Sequence, residues 1–220
     1  MKKLFLVLCL AVFLMAETAN ATPVYTGLYV DMYLKQNTFP GNLSEEKVFL
    51  DAATLATITG HVGSQTDSRL VKFSSTTDVL IAANGFATIK AQDDYINNIT
   101  ITAPGYWFND LIFSVNLAPN ENNNLTITAM DKSGGTESFA GMPNAQDWVN
   151  GQNDILVLST SGNLMISVNI TSGSGVAAFG VDQLKQTQIS GLTPVPEPST
   201  MLLLGSGLIG LLGARRKFKK

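Results

Sequence analysis

Apolar and polar residues alternate repeatedly along the chain between residues 22 and 192. Leu111, Phe113 and Val115 occupy every second position of one segment, and Leu164–Ile170 follows the same rule. Successive side chains of a β-strand point to opposite faces, so this alternation predicts strands that bury one face. The same criterion predicts further strands at Val24–Leu34, Ala53–Thr59, Leu70–Ser74, Phe86–Ala91, Ile99–Thr102, Leu125–Thr128, Ile155–Ser159 and Val176–Leu184.

Clusters of Asn, Ser, Gly and Pro separate these segments, and no long stretch has helical periodicity. Many short strands joined by polar turns predict an all-β domain over residues 22–192, an antiparallel β-sandwich or jelly roll. One short helix is expected at Leu43–Phe49, where Ser44 could serve as the N-cap. That helix would cover one edge or end of the sandwich.

The N-terminus has the pattern of a secretory signal peptide. Lys2 and Lys3 precede the apolar run Leu4–Ala16, and Ala19 and Ala21 supply the small residues that signal peptidase requires. As a helix the run would reach roughly 20 Å, short of the roughly 30 Å of a bilayer core. We therefore expect signal peptidase to remove residues 1–21.

Composition limits the chemistry of the mature chain. The one cysteine of the sequence lies within residues 1–21, so no disulfide or cysteine nucleophile is expected after cleavage. The formal charge of −3 hides an acidic centre, because residues 22–192 contain seven Lys and Arg but fifteen Asp and Glu. An acidic surface repels phosphate groups, and nucleic-acid binding is therefore not expected.

The C-terminal tail, residues 193–220, has three parts in sequence. Prolines at 194, 196 and 198 favour an extended chain, and Met201–Ala214 is an uncharged run that is short for a bilayer. Arg215–Lys220 then supplies five basic residues, which remain on the cytoplasmic side. The order predicts a membrane-anchored intermediate with a short hydrophobic helix and the domain outside.

This arrangement of Pro196-Glu197-Pro198, short apolar helix and basic end resembles the PEP-CTERM sorting signal. The resemblance implies that exosortase, a membrane transpeptidase-like enzyme, removes the helix near the triplet. It also implies a Gram-negative bacterium that makes exopolysaccharide, and a final location at the cell surface or in the extracellular matrix. A plain C-terminal membrane anchor is the alternative.

The sequence has no recognisable catalytic motif. His61 is the only histidine and is expected in a turn or at a strand end, and no Gly-x-Ser-x-Gly segment occurs. A histidine metal cluster is impossible with one histidine. Paired carboxylates could hydrolyse glycosides, but the acidic residues follow no pattern that indicates it. We therefore expect no catalytic residue and no enzyme.

Two kinds of ligand are compatible with the composition. Calcium binds six to eight oxygens in proteins. Weak candidates for calcium ligands are Asp93, Asp94, Asp154 and Asp182. The alternative is that these four are ordinary solvated acidic residues. No other cofactor is expected.

Sugars stack on flat aromatic rings. Tyr25, Tyr29 and Tyr33 would share one face of a continuous strand, and Trp107 and Trp148 add further rings. Alternatively, these rings complete the core or cover a sandwich edge.

Together these patterns predict an exported protein of the cell surface or extracellular matrix. Its expected role is a non-catalytic structural or adhesive component of exopolysaccharide or biofilm. Its expected partners are signal peptidase, exosortase and exopolysaccharide, and membrane contact is expected only through the C-terminal helix before processing. The alternative is a secreted calcium-dependent polysaccharide hydrolase or a carbohydrate-binding module.

Overall fold

The computed structural model describes residues 23–34, 39–40, 43–86, 88–93, 95–117, 125–140, 151–160, 162–172 and 181–196. Within these ranges the secondary structure is entirely β, and no helix is long and apolar enough to cross a membrane. The strands are β1 Tyr25–Thr26, β2 Val30–Leu34, β3 Glu46–Leu50, β4 Ala53–Leu55, β5 Thr57–Val62, β6 Leu70–Ser74, β7 Leu80–Ala82, β8 Thr88–Ala91, β9 Asn98–Thr102, β10 Tyr106–Trp107, β11 Asp110–Leu117, β12 Leu125–Asp131, β13 Thr136–Ala140, β14 Gly151–Ser159, β15 Met165–Ser172, β16 Val181–Ser190 and β17 Thr193–Pro194.

All strand pairs in the described part of the chain are antiparallel, and fifteen of these strands belong to one sheet. Its main path runs β1-β2-β14-β11-β16-β3-β5-β6-β9-β15-β12-β13, and β8, β7 and β4 branch from β16. A separate pair joins β10 to β17. The large sheet folds over on itself into a nearly closed, barrel-like shape. The prediction of an all-β, sandwich-like fold is therefore confirmed.

β3 makes the corner at which the sheet folds over. Its first residues, Glu46 and Lys47, pair with β16, whereas Val48, Phe49 and Leu50 pair with β5. One short strand thus belongs to both layers, which brings their apolar faces together.

The interior is filled by the inward side chains of the alternating segments. Leu111, Phe113 and Val115 of β11 belong to the same continuous buried cluster as Ile99 and Ile101 of β9. Burying such a side chain contributes about 1.5–3 kcal/mol. The alternation therefore both forms the strands and drives their packing.

In β15 the inward set differs from the expected one. Met165 is buried whereas Leu164 and Ile166 are half-buried, and from Val168 onward the predicted positions are inward. A register irregularity opposite Met130 and Asp131 accounts for the change, because a bulge shifts every preceding side chain to the other face.

The predicted helix at Leu43–Phe49 is wrong, because β3 occupies Glu46–Leu50. Val48 and Leu50 are both buried, and two residues apart they share a face only in an extended strand. Arg69 also holds Glu46 through two hydrogen bonds of 2.6 and 2.8 Å. Inward packing and this ion pair outweigh the local capping pattern.

The predicted continuous strand Val24–Leu34 is also wrong. The chain turns between β1 and β2, where the Gly27 amide donates to the Val30 carbonyl at 2.9 Å, and Tyr25 then lies opposite Met32. Tyr25, Tyr29 and Tyr33 therefore do not line one strand face. Tyr33 is only 6% exposed and packs with Ile112 and Leu156 on the outer face of the sheet.

That outer apolar cluster is covered by the connection between β2 and β3. Phe39 and Leu43 of this connection pack against it, together with Leu158 of β14. The burial of Tyr33 follows from this cover rather than from the strand itself.

The two ends of the main path meet at a seam. Both carboxylate oxygens of Glu137 on β13 accept backbone amides of the β1–β2 turn: Leu28, Tyr29 at 2.9 Å and Val30 at 3.1 Å. Beside it, the rings of Tyr25 and Phe139 meet edge to face with centroids 4.5 Å apart. We call these contacts the Glu137 seam.

We expect Glu137→Ala to lower the free energy of unfolding by about 2–4 kcal/mol, because three amides lose a charged acceptor. Glu137→Gln, which keeps one acceptor oxygen, should lose less. Urea denaturation measures both. The control is Thr136→Ala, an exposed neighbour on the same strand, which should change stability by less than about 0.5 kcal/mol. Equal stability of Glu137→Ala and the control would contradict the seam.

Candidate functional site

The end of β16 leads into the tail through a short second pairing. After Ser190 the chain turns at Gly191, and β17 then pairs with β10 so that Tyr106 faces Pro194 and Trp107 faces Thr193. The Val195 amide donates to the Gly105 carbonyl at 2.9 Å. We call the pairing of Gly105–Trp107 with Thr193–Val195 the β10–β17 clasp. Pro196, the next residue, is exposed.

A buried polar cluster supports the base of the clasp. The Asn109 amide donates to the Ser190 carbonyl at 3.0 Å, and the Ser159 amide donates to the Asn109 carbonyl at 2.9 Å. The Ser159 hydroxyl donates to Asn109 Oδ1 at 2.6 Å, and Asp110 accepts hydrogen bonds from Asn109 Nδ2 and Ser190 Oγ. These four residues, the junction cluster, tie β11, β14 and β16 together.

Asp110 is the only acidic member of the junction cluster and is 2% exposed. Burial raises the pKa of Asp110, and the hydrogen bonds from Ser190 and Asn109 oppose this effect only in part. The burial of Asp110 therefore has a structural explanation: its carboxylate accepts two hydrogen bonds and holds the start of β11 against the end of β16.

Gly191 sets the direction of the tail. Its φ of +63° lies in the left-handed region, and a Cβ there would lie 2.5 Å from the Asn109 Cβ. Only glycine fits both requirements. The chain therefore leaves the junction cluster in a fixed direction toward β10.

Comparison with known families finds one match, which begins where the domain meets the tail. A family model described as the PEP-CTERM protein-sorting motif matches residues 194–217. The search of curated proteins finds no match. The chain therefore carries a PEP-CTERM sorting motif, and the suspected resemblance is confirmed. The motif implies an exported, exosortase-processed protein that passes through a membrane-anchored intermediate toward the cell surface.

The structure describes only the start of the matched segment. Pro194 lies in the clasp and Pro196 follows it, whereas Glu197, Pro198, the apolar run 201–214 and the basic end 215–220 lie outside the described residues. Ala19 and Ala21 and the whole predicted signal peptide also lie outside. The predicted cleavages at both ends stay predictions.

The calcium candidates are not brought together among the described residues, where no group of three acidic or histidine side chains could hold a metal. Asp154 accepts hydrogen bonds from Ser114 and from Gln152 at 3.1 Å, and Asp182 accepts one from Asn116 at 2.9 Å.

The other two candidates lie on the β8–β9 connection. Asp93 is exposed, and Asp94 lies outside the described residues.

The aromatic candidates are also dispersed. Trp107 is half-buried in β10, and the Lys132 Nζ lies 5.8 Å from its ring centroid. Tyr25 is exposed at the seam, Tyr29 is half-buried in the β1–β2 turn, and Trp148 lies outside the described residues. Of the four aromatic candidates that the structure describes, Trp107 is the one at the junction with the sorting motif.

His61 is the next-to-last residue of β5, at the strand end as expected. Its Nδ1 lies 2.7 Å from the Asp67 carbonyl oxygen, and its Nε2 lies 3.2 Å from Asp51 Oδ2. Both ring nitrogens face acceptors, which favours the doubly protonated ring. The hydrogen bond to Asp67 raises the pKa of His61, burial opposes it, and Asp51 adds to the increase.

Sequence patterns missed the residues that build the junction. Thr193 and Pro194 were expected only as the extended start of the tail, whereas they form the paired strand β17. The signal available was Gly191, since a glycine directly after a strand often marks a turn with positive φ. Nothing local indicates that β10 is the partner.

We expect the stability of the protein to fall as pH rises from about 5 to about 8, through the range in which histidine titrates. The folded state holds the His61 proton more tightly than the unfolded state, so this contribution is present below the unfolded pKa and is lost above the folded one. Urea denaturation across this range measures it. His61→Gln should flatten the slope, and an unchanged slope would contradict the assignment.

We expect Gly191→Ala to destabilise the protein by about 1–3 kcal/mol, because Ala disfavours a positive φ and its Cβ meets Asn109. The matched control is Gly162→Ala. Gly162 has a φ of +73° and nothing within 4 Å of an added Cβ, so only the backbone cost of about 1 kcal/mol applies. Thermal denaturation compares the two. A smaller loss at Gly191 than at Gly162 would rule out the tight contact.

Proposed function

We propose that the protein is a non-catalytic component of the bacterial cell surface or extracellular matrix, with a structural or adhesive role in exopolysaccharide. The observation that carries the proposal is the direct connection between a folded β-domain and a PEP-CTERM motif. The motif match begins at Pro194, which is itself paired to the domain. The part destined for release is therefore a folded unit that ends at the sorting signal.

The use of acidic side chains supports a structural role. Glu137 closes the seam, and Asp110 and Asp131 each accept several hydrogen bonds from nearby turns and strand ends. The hydrogen bonds of these carboxylates stabilise the fold. Half-buried Trp107 leaves part of its side chain exposed for weak contact with sugars.

Export and release are tested in the native host with intact-mass measurement and cell fractionation. Wild-type protein should reach the surface or matrix fraction without residues 1–21 and without Arg215–Lys220. The double variant Pro196→Ala, Glu197→Ala and a host without exosortase should both retain uncut protein in the membrane. Lys90→Ala, a solvent-exposed change on β8, is the control. Wild-type protein that keeps its basic end would overturn the proposal.

The matrix role is tested with the released protein and exopolysaccharide from the same host. We expect co-sedimentation without release of reducing sugar, and without dependence on added calcium. Calcium-dependent release of reducing sugar would favour the alternative of a hydrolase. Calcium-dependent binding without sugar release would favour a carbohydrate-binding module. Failure to bind the polymer in either condition would remove the adhesive role.

A further inference from the structure

We propose that the β10–β17 clasp competes with exosortase for the residues directly before the Pro196-Glu197-Pro198 triplet, so that the clasp must open before the tail can be processed. The proposal rests on exosortase processing, which the motif implies. It concerns a regulatory contact within the fold, between Gly105–Trp107 and Thr193–Val195.

The last hydrogen-bonded residue lies directly before the motif triplet. Val195 donates to Gly105, and Pro196 begins the triplet. The match to the sorting motif starts one residue earlier, at Pro194, which pairs with Tyr106. The clasp and the motif therefore share residues, and one stretch of chain cannot serve both at once.

Enzymes that cut or transfer peptides bind them extended, through backbone hydrogen bonds on both sides of the reacting bond. If the reaction occurs near the triplet, the residues on its N-terminal side are Thr193, Pro194 and Val195. The Val195 amide is already bonded to the Gly105 carbonyl, and Thr193 lies at a bonded position opposite Trp107. The enzyme would need to replace β10 as the partner of this segment.

The linker between the clasp and the apolar run is too short to avoid this competition. Met201, where the apolar run begins, lies six residues after Val195. Six extended residues span at most about 20 Å, so the membrane-anchored intermediate holds the clasp close to the bilayer surface. Additional length for the enzyme can come only from the clasp itself, because Gly191 and the junction cluster fix the chain behind it.

The clasp is also suited to opening on its own. Its strands β10 and β17 are only two residues long. Thr193, Pro194 and Val195 are exposed, whereas the preceding Ser190 is buried in the junction cluster. A short, exposed pairing opens locally without unfolding the core. Opening should therefore stop at Gly191.

A disulfide across the clasp gives the sharpest test. Tyr106 and Pro194 face each other between the bonded positions of the pair, where Cα atoms lie about 4.5 Å apart and a disulfide is feasible. With the predicted signal peptide removed, the chain has no other cysteine. The variant Y106C/P194C, without residues 1–21 and with its tail intact, is incubated with exosortase-containing membranes, with and without reductant, and loss of the tail is followed by mass spectrometry.

We expect the oxidised variant to be processed at least tenfold more slowly than the same variant after reduction. The reduced form controls for both substitutions, including the change at the first residue of the motif match. Equal rates in the two forms would overturn the proposal. If even the wild-type chain is not processed, exosortase processing itself fails, and this inference fails with it.

A second variant loosens the clasp from the β10 side, without touching the matched motif or the segment that the enzyme would bind. Trp107→Pro removes the backbone amide opposite Thr193, and we expect processing about threefold to tenfold faster, since one hydrogen bond is worth about that factor in the opening equilibrium. The control Trp107→Leu keeps the amide and should be processed at the wild-type rate. Equal rates for Trp107→Pro and Trp107→Leu would also contradict the clasp.

Discussion

The carboxylate of Glu137 is the interaction on which the closed shape of the sheet depends. Among the described strands, β1 pairs only with β2 and β13 only with β12, so no backbone ladder joins the two ends of the main path. Glu137 replaces that ladder by accepting three successive amides of the opposite turn. A side chain can bridge two edges whose separation or angle does not allow strand pairing, and here it occupies three amides that another chain could otherwise use.

The same device recurs in a domain that has no disulfide. Asp78 is buried and joins the β6–β7 loop to the start of β9, where it accepts the amides of Asn97 and Asn98. Burial alone would raise the pKa of Asp78, but the hydrogen bonds from these and neighbouring groups outweigh it and lower the pKa. Asp131 holds the β12–β13 turn in the same way. Part of the acidic composition is therefore structural, and it need not indicate a metal or substrate site.

Sequence alternation predicted the strands that bury one face, because inward residues such as Ile99 and Ile101 contact only the core and require no knowledge of the partner strand. It failed where a distant residue decides the local structure. The turn after Gly27 is held by Glu137, which is more than one hundred residues away along the chain. β3 was mistaken for a helix because its pairing with two other strands leaves no local mark.

The candidate site likewise has one part that sequence could predict and one part that it could not. The PEP-CTERM motif is recognisable from sequence because it is a contiguous signal that other proteins must read as an extended peptide. The clasp and the junction cluster are not recognisable, because they join β10 and β11 to a segment about eighty residues later. Sequence therefore predicted where the protein is sent, and the fold had to show how the domain is connected to that signal.

The connection between the domain and the sorting signal contains two contacts of different stability, the clasp and the junction cluster. Breaking the clasp exposes only a short ladder whose hydrogen bonds are each worth about 0.5–1.5 kcal/mol net, and water replaces the lost partners at this exposed site. Breaking the junction cluster would instead leave buried polar groups of Asp110, Ser159 and Ser190 unpaired, at a cost of about 1–3 kcal/mol for each, and would disrupt β11 and β16. The boundary between the clasp, which opens easily, and the junction cluster, which stays folded, therefore lies at Gly191. A domain built in this way can release several residues to a membrane enzyme and remain folded throughout, which is what a protein that functions after leaving the membrane requires.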